Sequence, residues 1–387
     1  MWDLIAGRPR ISDVRRAGAV ALILAAAAAA ATVARADGGG RATGLATAAG
    51  NVWTTVPGGI LPLDPRTGRI VGPATATGRL AELTSGGDQL WGLRPWTLVR
   101  IDLRRHAVSE FHIHGPAYAF AAGFGSAWVA NIRDGTLSRI DVRSGRTVAT
   151  IRGIGREAES VAVGFGSVWI SSVGPWRKGP GGVMVPVGRG AVTRVDPGRN
   201  AIVRRIRVGR GAAAVVTGES SVWVANSRGV RPDDTVSRID PRTNRVTATI
   251  VVPHGAAGVA AGAGSGWVIE SPSGGGGNLT RIDAATDLTR TTRLRPSWIP
   301  GAVLVSGGRI WVADEGTATV LRIDPRTLQR TVARIGIPSL PPPRIEAPAL
   351  ERSDGGVDWR PLAAIGGLLF AGLIAGAALV TRRIRAA

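Results

Sequence analysis

The chain has 387 residues, a formal net charge of +21 and no cysteine. Without thiols neither a disulfide framework nor a thiolate metal site is open to it, so packing must hold the fold. Apolar residues make up 44%, enough for a core, and 55 Gly with 24 Pro favour many short strands joined by turns, an all-β reading.

The N-terminus carries four arginines in residues 1–16, then the apolar run "AGAVALILAAAAAAATVA" at 17–34 and Ala34-Arg35-Ala36. A basic start, an apolar middle and an A-x-A site are the marks of a secretory signal, so residues 1–36 are expected to be a signal peptide or an N-terminal anchor.

From about 43 to 336 the chain repeats itself. "GFGSAWVANIRDGTLSRIDVRSGRTVATI" at 123–151 returns as "GESSVWVANSRGVRPDDTVSRIDPRTNRVTATI" at 218–250. Aligned on Trp53, Trp91, Trp128, Trp169, Trp223, Trp267 and Trp311, and on Asp64, Asp102, Asp141, Asp196, Asp240, Asp283 and Asp324, there are seven repeats averaging 42 residues. That period predicts the four-stranded blades of a seven-bladed β-propeller. In the fourth repeat "SVAVGFG" (160–166) reads as strand A, "SVWISS" (167–172) as B, "AVTRVDP" as C and "AIVRRIRVG" as D. A and B are apolar on both sides because a blade packs a neighbour against each face; the outer strands alternate. The first repeat has its own strand A and the last its own strand D, "RTVARI", so the ring is expected to close without a strand borrowed across the ends.

The regular tryptophans are read as interblade packing. Arg100, Arg139, Arg194, Arg238, Arg281 and Arg322 each stand two residues before a repeat Asp. Residues i and i+2 share a strand face, so these make local ion pairs or bond a neighbouring blade. Of the 48 basic residues all but Lys178 are Arg, spread through the repeats rather than gathered beside aromatics, which argues against nucleic-acid binding. A field of that sign would enrich polyanions such as anionic lipid or wall polymer nearby.

Function is sought where the copies differ. Strands A and B are antiparallel, so the D-to-A and B-to-C loops open on one face, and loops on a rigid scaffold carry binding. The third residue after each Trp is expected near the central opening: Val56, Arg94, Asn131, Ser172, Asn226, Glu270 and Asp314. Repeat four has the longest Trp-to-Asp span, 27 residues against 11 in the first two, and its insertion holds Trp176, Arg177 and Lys178, an aromatic beside cations suited to anchoring a partner. In repeat six His254 precedes strand A and Glu270 closes strand B, a candidate acid–base pair for catalysis. His112 and His114 form an H-x-H without an evident third ligand, so no metal site is assigned.

After the repeats, "PSLPPPRIEAPALERSDGGVDWR" within 337–361 reads as a Pro-rich stalk. The run 362–381 has twenty uncharged residues, long enough for a transmembrane helix. Arg382, Arg383 and Arg385 in the 382–387 tail put the C-terminus in the cytoplasm and the propeller at 43–336 outside, a single-pass arrangement in the cell membrane.

The pattern G-x-G-S-V-W-V-A-N followed by S-R-I-D-P-x-T resembles the bacterial YVTN/NHL-like propellers that include the streptogramin B (virginiamycin B) lyases. The resemblance covers nearly all of 43–336. It implies the propeller fold; a lyase relative would use a His and a Glu with magnesium, and "PHGAAGVAAGAGSGWVIE" resembles that arrangement at His254 and Glu270 with a spacing two residues longer. One fold carries many functions. The expectation is a binding platform for a protein, peptide or cell-envelope polymer, with no cofactor. The alternative is a lyase-like or lactonase-like enzyme at the propeller mouth, with Mg if it is lyase-like.

Overall fold

The computed structural model describes residues 44–346 apart from 87–88, 95, 114–116, 133, 156, 179–183, 228–232, 271–275, 295–299, 315–318 and 336–339. The signal or anchor segment, residues 347–361 of the stalk, the run 362–381 and the tail lie outside the described residues. Among the described residues no helix is long and apolar enough to cross a membrane.

Seven four-stranded antiparallel sheets follow one another in chain order, each with its strands in sequence order A-B-C-D. Blade 4 is typical: A is Ala158–Gly164, B Ser167–Ser172, C Ala191–Asp196 and D Ala201–Arg207. The strands A of successive blades touch in a closed circle, and that of blade 7 (Pro300–Ser306) meets that of blade 1 (Leu45–Ala48). The molecule is therefore a seven-bladed β-propeller with strands A around the axis and strands D at the rim.

Strand A of blade 4 ends at Gly164, two residues before the end expected from sequence, because Phe165 and Gly166 turn the chain, both with positive φ. That pairing marks the tight hairpin whose twist matches the flanking strands. The same two-residue turn recurs at Ala49-Gly50, Phe124-Gly125, Ala263-Gly264 and Gly307-Gly308, and in blade 5 at Glu219-Ser220, where no glycine is present.

Each strand B buries its tryptophan. Trp128, Trp169, Trp223, Trp267 and Trp311 are wholly enclosed, and their indole N–H groups donate to the carbonyl five residues earlier, as Trp169 does to Gly164 at 3.0 Å. Blades meet through apolar clusters: Trp128 and Ala130 of blade 3 pack on Val168 and Ile170 of blade 4. The seam between the ends is filled in the same way, by Leu45, Val52, Leu61 and Leu63 of blade 1 against Trp311, Ala313 and Val320 of blade 7. Among the described residues ring closure thus rests on side-chain packing.

Four of the six arginines that stand two residues before a repeat Asp bond the next blade, whereas Arg281 donates to Ser265 and Asp283 of its own blade. Arg194 lies over Trp169, 4.9 Å from the ring centroid, its Nε donates to Ser167, and its Nη1 donates to the Pro241 carbonyl and to Asn244 Oδ1 in the turn of blade 5. Arg139 repeats this toward Pro197 and Asn200 of blade 4, and Arg238 toward Ala284 and Asp287 of blade 6. The Asp closes its own C-to-D turn: Asp141 Oδ1 accepts from the N–H and hydroxyl of Ser144. Those bonds hold Asp141 below the ordinary carboxylate range, and Asp64, Asp196, Asp240, Asp283 and Asp324 are lowered by the same kind of contact.

Residues 340–346, read from sequence as the start of a stalk, lie against the ring. Leu340 packs with the seam cluster beside Gly59 of blade 1. Further on, Val108 in strand D of blade 2 (Ala107–His112) donates to Arg344 O at 2.9 Å and accepts from Glu346 N at 2.8 Å, a one-residue parallel bridge around Ile345. Arg105 reaches Glu346 at 3.6 Å.

Candidate functional site

The B-to-C and D-to-A loops share one face and are tied together there. In blade 4 the amide of Val173 donates to Glu157 O, and Gly190 N donates to Gly209 O. In blade 5 Ser227 N donates to Gly211 O. These bonds use backbone groups that a loop must satisfy in any case, so the face is a stitched layer rather than separate flaps.

In the blade 4 insertion two short strands pair with each other. Trp176–Lys178 pairs with Met184–Pro186 in register Trp176↔Pro186, Arg177↔Val185 and Lys178↔Met184, as a two-stranded sheet separate from the blade. Val187 N donates to Pro175 O at 2.9 Å and closes its base. Arg177, Lys178 and Val187 are exposed. Beside it the blade 5 connection brings Asp233 onto Arg210, whose backbone N–H donates to Asp233 Oδ2 at 2.8 Å while Nε lies 3.5 Å from Oδ1. Burial, and then the neighbouring Asp233, push the Asp234 carboxyl up. Cations of the hairpin and this acidic pair give the face a polar relief that the repeats themselves lack.

The third residues after the tryptophans sit elsewhere than at an open mouth. Val56, Asn131, Ser172, Asn226, Glu270 and Asp314 are buried, and Arg94 is half-buried. Strand A stands between strand B and the axis, so a side chain at the end of B meets strand C and the covering loop. Asn131 Nδ2 donates to Thr136 and Ser138, and Asn226 Nδ2 to Thr235 and Ser237, all on strand C. Ser172 donates to Ala191 O at 3.4 Å. Arg94 pairs with Glu110 at 2.6 Å and also donates to the Thr77 carbonyl. In blades 3, 5 and 6 these residues bracket strand B to strand C, Asn131 and Asn226 through a Thr and a Ser and Glu270 through Thr280, whereas Arg94 reaches Glu110 on strand D.

His254 and Glu270 differ in exposure and share no hydrogen bond or ion pair. His254 is exposed on the turn before strand A of blade 6, whereas Glu270 is fully enclosed at the end of strand B (Ser265–Glu270). Val268, two residues before it and so on the same face, packs on Trp223 and Ala225 of blade 5, which places Glu270 between the blades. Thr280 donates to Glu270 Oε1, Oε2 has no protein partner, and no hydrogen bond or ion pair joins it to His254. His112 is exposed and His114 lies outside the described residues. Among the described residues no group of three or more His, Asp or Glu is placed to hold a metal ion.

Sequence reading missed a second feature, a cleft between blades 7 and 1 lined by Arg69, Arg322, Arg334 and Thr331 with Ile70 and Val332. Gly68 occupies the turn position where blades 4 and 5 have Asn200 and Asn244, but Gly145 occupies it in blade 3 as well, so the sequence alone did not single this cleft out.

No protein-family profile matches the chain, and no curated protein sequence matches it. Solved structures do. The chain is similar to Kuenenia stuttgartiensis hydrazine synthase, with TM-score 0.56 and 12% identity over 77% of this chain and 96% of that one. It is similar to the Neurospora crassa Pan2 WD40 domain, with TM-score 0.54 and 13% identity over 71% and 86%. It is also similar to the RRP9 WD40 repeats, with TM-score 0.53 and 11% identity over 71% and 87%. At such identities the likeness is one of fold, and it places the chain among β-propeller structures.

Proposed function

We propose that the chain is a membrane-anchored, extracytoplasmic β-propeller that serves as a non-catalytic binding platform for a protein, peptide or cell-envelope ligand. The observation that carries this reading is the blade 4 hairpin, the one insertion folded into a sheet of its own among the described residues, standing on the loop face with Arg177 and Lys178 exposed. The repeated residues are consumed in holding blade to blade, which leaves irregular loops to meet a partner. The apolar run at 362–381 with arginines after it supports a single-pass anchor with the ring outside.

The test compares the full chain with a variant in which residues 176–186 are replaced by a Gly-Ser turn. Cross-linked capture from envelope extract should recover a defined partner with the first and lose it with the second, both proteins folding alike by circular dichroism. Equal recovery by both would remove the hairpin as the binding surface. Topology is read separately: because the chain has no Cys, a single Arg66→Cys reports by itself, and a membrane-impermeant maleimide should label it in intact cells. Labelling only after lysis would place the ring inside.

A further inference from the structure

Four of the interblade arginines find acceptors in the next blade: Arg139 and Arg194 on a carbonyl and an Asn side chain, Arg238 on a carbonyl and Asp287, Arg100 on the Val142 carbonyl at 3.1 Å. Arg322 of blade 7 is placed as they are, on strand C (Thr319–Ile323) beside Trp311, with blade 1 as its next blade. There the acceptor is missing. Gly68 holds the position of Asn200 and Asn244, as Gly145 does opposite Arg100; but among the described residues no carbonyl of the blade 1 turn takes the part that Val142 plays for Arg100, and strand D of blade 1 is only Thr75–Ala76. Arg322 Nε is buried without a hydrogen-bond partner, and among the described residues its guanidinium makes no ion pair.

The space left open is the cleft at the seam. Arg69 and Arg334, both exposed and without a carboxylate partner among the described residues, line it with Arg322 and the Thr331 side chain. No acidic residue lines it: Asp64 is engaged by its own turn and Asp324 by Arg309 at 3.4 Å. Along the rim beside it Arg290, Arg293 and Arg330 in strands D of blades 6 and 7 are exposed, and those two strands contain no Asp or Glu. A concave site of one sign focuses its field and gathers counter-ions.

We infer that this cleft between blades 7 and 1 is an anion site for a phosphate group, held by Arg322, Arg69 and Arg334. Guanidinium forks suit phosphate and carboxylate alike. Three of them lining one cleft from two blades favour the tetrahedral phosphate, whose oxygens point in several directions, over a planar carboxylate that two forks saturate. Ile70 and Val332 supply an apolar wall for whatever the phosphate is attached to. The phosphate could be borne by a small molecule or by a lipid headgroup, and the site does not depend on what the loop face binds.

The experiment uses the full chain in detergent micelles, titrated at low salt with inorganic phosphate and with sn-glycerol 3-phosphate, and reconstituted against vesicles of phosphatidylcholine with or without phosphatidic acid. Wild type should bind phosphate, and Arg322→Gln or Arg334→Gln should weaken it about tenfold or more. The charge-matched pair Arg66→Gln and Arg326→Gln, on exposed turns, should leave it unchanged. Gly68→Asn is the sharper variant. Asn tolerates the positive φ of 75°, and a Cβ there meets Arg322 Cδ at 3.6 Å, an ordinary contact. It should capture Arg322 as Asn244 captures Arg194, raising the melting temperature while phosphate affinity falls, a combination that general damage would not give. Binding to phosphatidic acid vesicles without binding to glycerol phosphate would name the lipid as the source, and the reverse a small molecule. Wild-type affinity in both Arg322→Gln and Gly68→Asn, or an equal loss in the charge-matched pair, would overturn the site.

Discussion

Arg194 shows how much of each repeat is spent on its neighbour. Its guanidinium stacks on Trp169 and donates to groups of two blades, so Arg194→Ala should cost about 2 kcal/mol or more in denaturant unfolding. Arg194→Lys should recover little, because an ammonium cannot hold that fork. At Ser220 the opposite change is expected. It sits at φ 55° in a turn where the other described copies have Gly, so Ser220→Gly should stabilise by about 1 kcal/mol, and an unchanged melting temperature would speak against strain there. Titration follows from Glu82 on strand A of blade 2 (Glu82–Gly86), which keeps some solvent contact while its carboxyl is enclosed; that burial pushes it up to about 8 from an ordinary 4.5, opposed by the Phe120 N–H. Between those values the folded chain keeps a proton that the unfolded chain has lost, so stability falls as pH rises through the window and levels off above it. Glu82→Gln should flatten that slope. The turn aspartates act in the other direction: their contribution is complete above the ordinary 3.8 and is lost as pH drops toward their lowered folded values.

At the scale of elements, residues 340–346 act as a strap over blades 1 and 2. Glu346→Pro removes the N–H that Val108 accepts and should cost about 1 kcal/mol; the Val108 amide, bonded to Arg344, should then exchange faster with solvent while amides in strand B of blade 4 keep their rates. Unchanged protection at Val108 would mean that the strap is not held. The strap was hidden in the sequence because its Pro-rich composition reads as an extended spacer, and its anchors are single contacts rather than a pattern. Strands were legible for the converse reason: Trp, Gly and Asp recur in phase, and each repetition confirms the last. The fourth-blade hairpin could be located as an excess of residues but not seen as a sheet, since "WRKGPGGVMVP" has no alternation to betray one. The end-of-strand residues misled in a different way. Their variation suggested a ligand, whereas Asn131 and Asn226 show that a buried polar bracket varies as freely, provided its partner on strand C suits it.

For the molecule as a whole the unusual point is the closure. Among the described residues no strand crosses the junction between the first and last blades, and the apolar seam of Leu45, Val52, Trp311 and Val320 has to do what hydrogen-bonded exchange would otherwise share. The same seam lacks the arginine contact that joins several other blades, and it is where the unpaired Arg322 lies. If the seven repeats form one ring by packing, residues 65 and 307 must be neighbours although 242 positions separate them; a Cβ on Gly307 would stand 2.9 Å from that of Pro65. Disulfides need about 3.5–4.5 Å between Cβ atoms, a shift of under an ångström or so. With no other Cys in the chain, the double variant Pro65→Cys, Gly307→Cys should form an intramolecular disulfide on mild oxidation of the folded protein, seen as one peptide joining both ends after proteolysis. Free thiols, or links only between molecules, would show the ring to be open and the account of the repeats to be wrong.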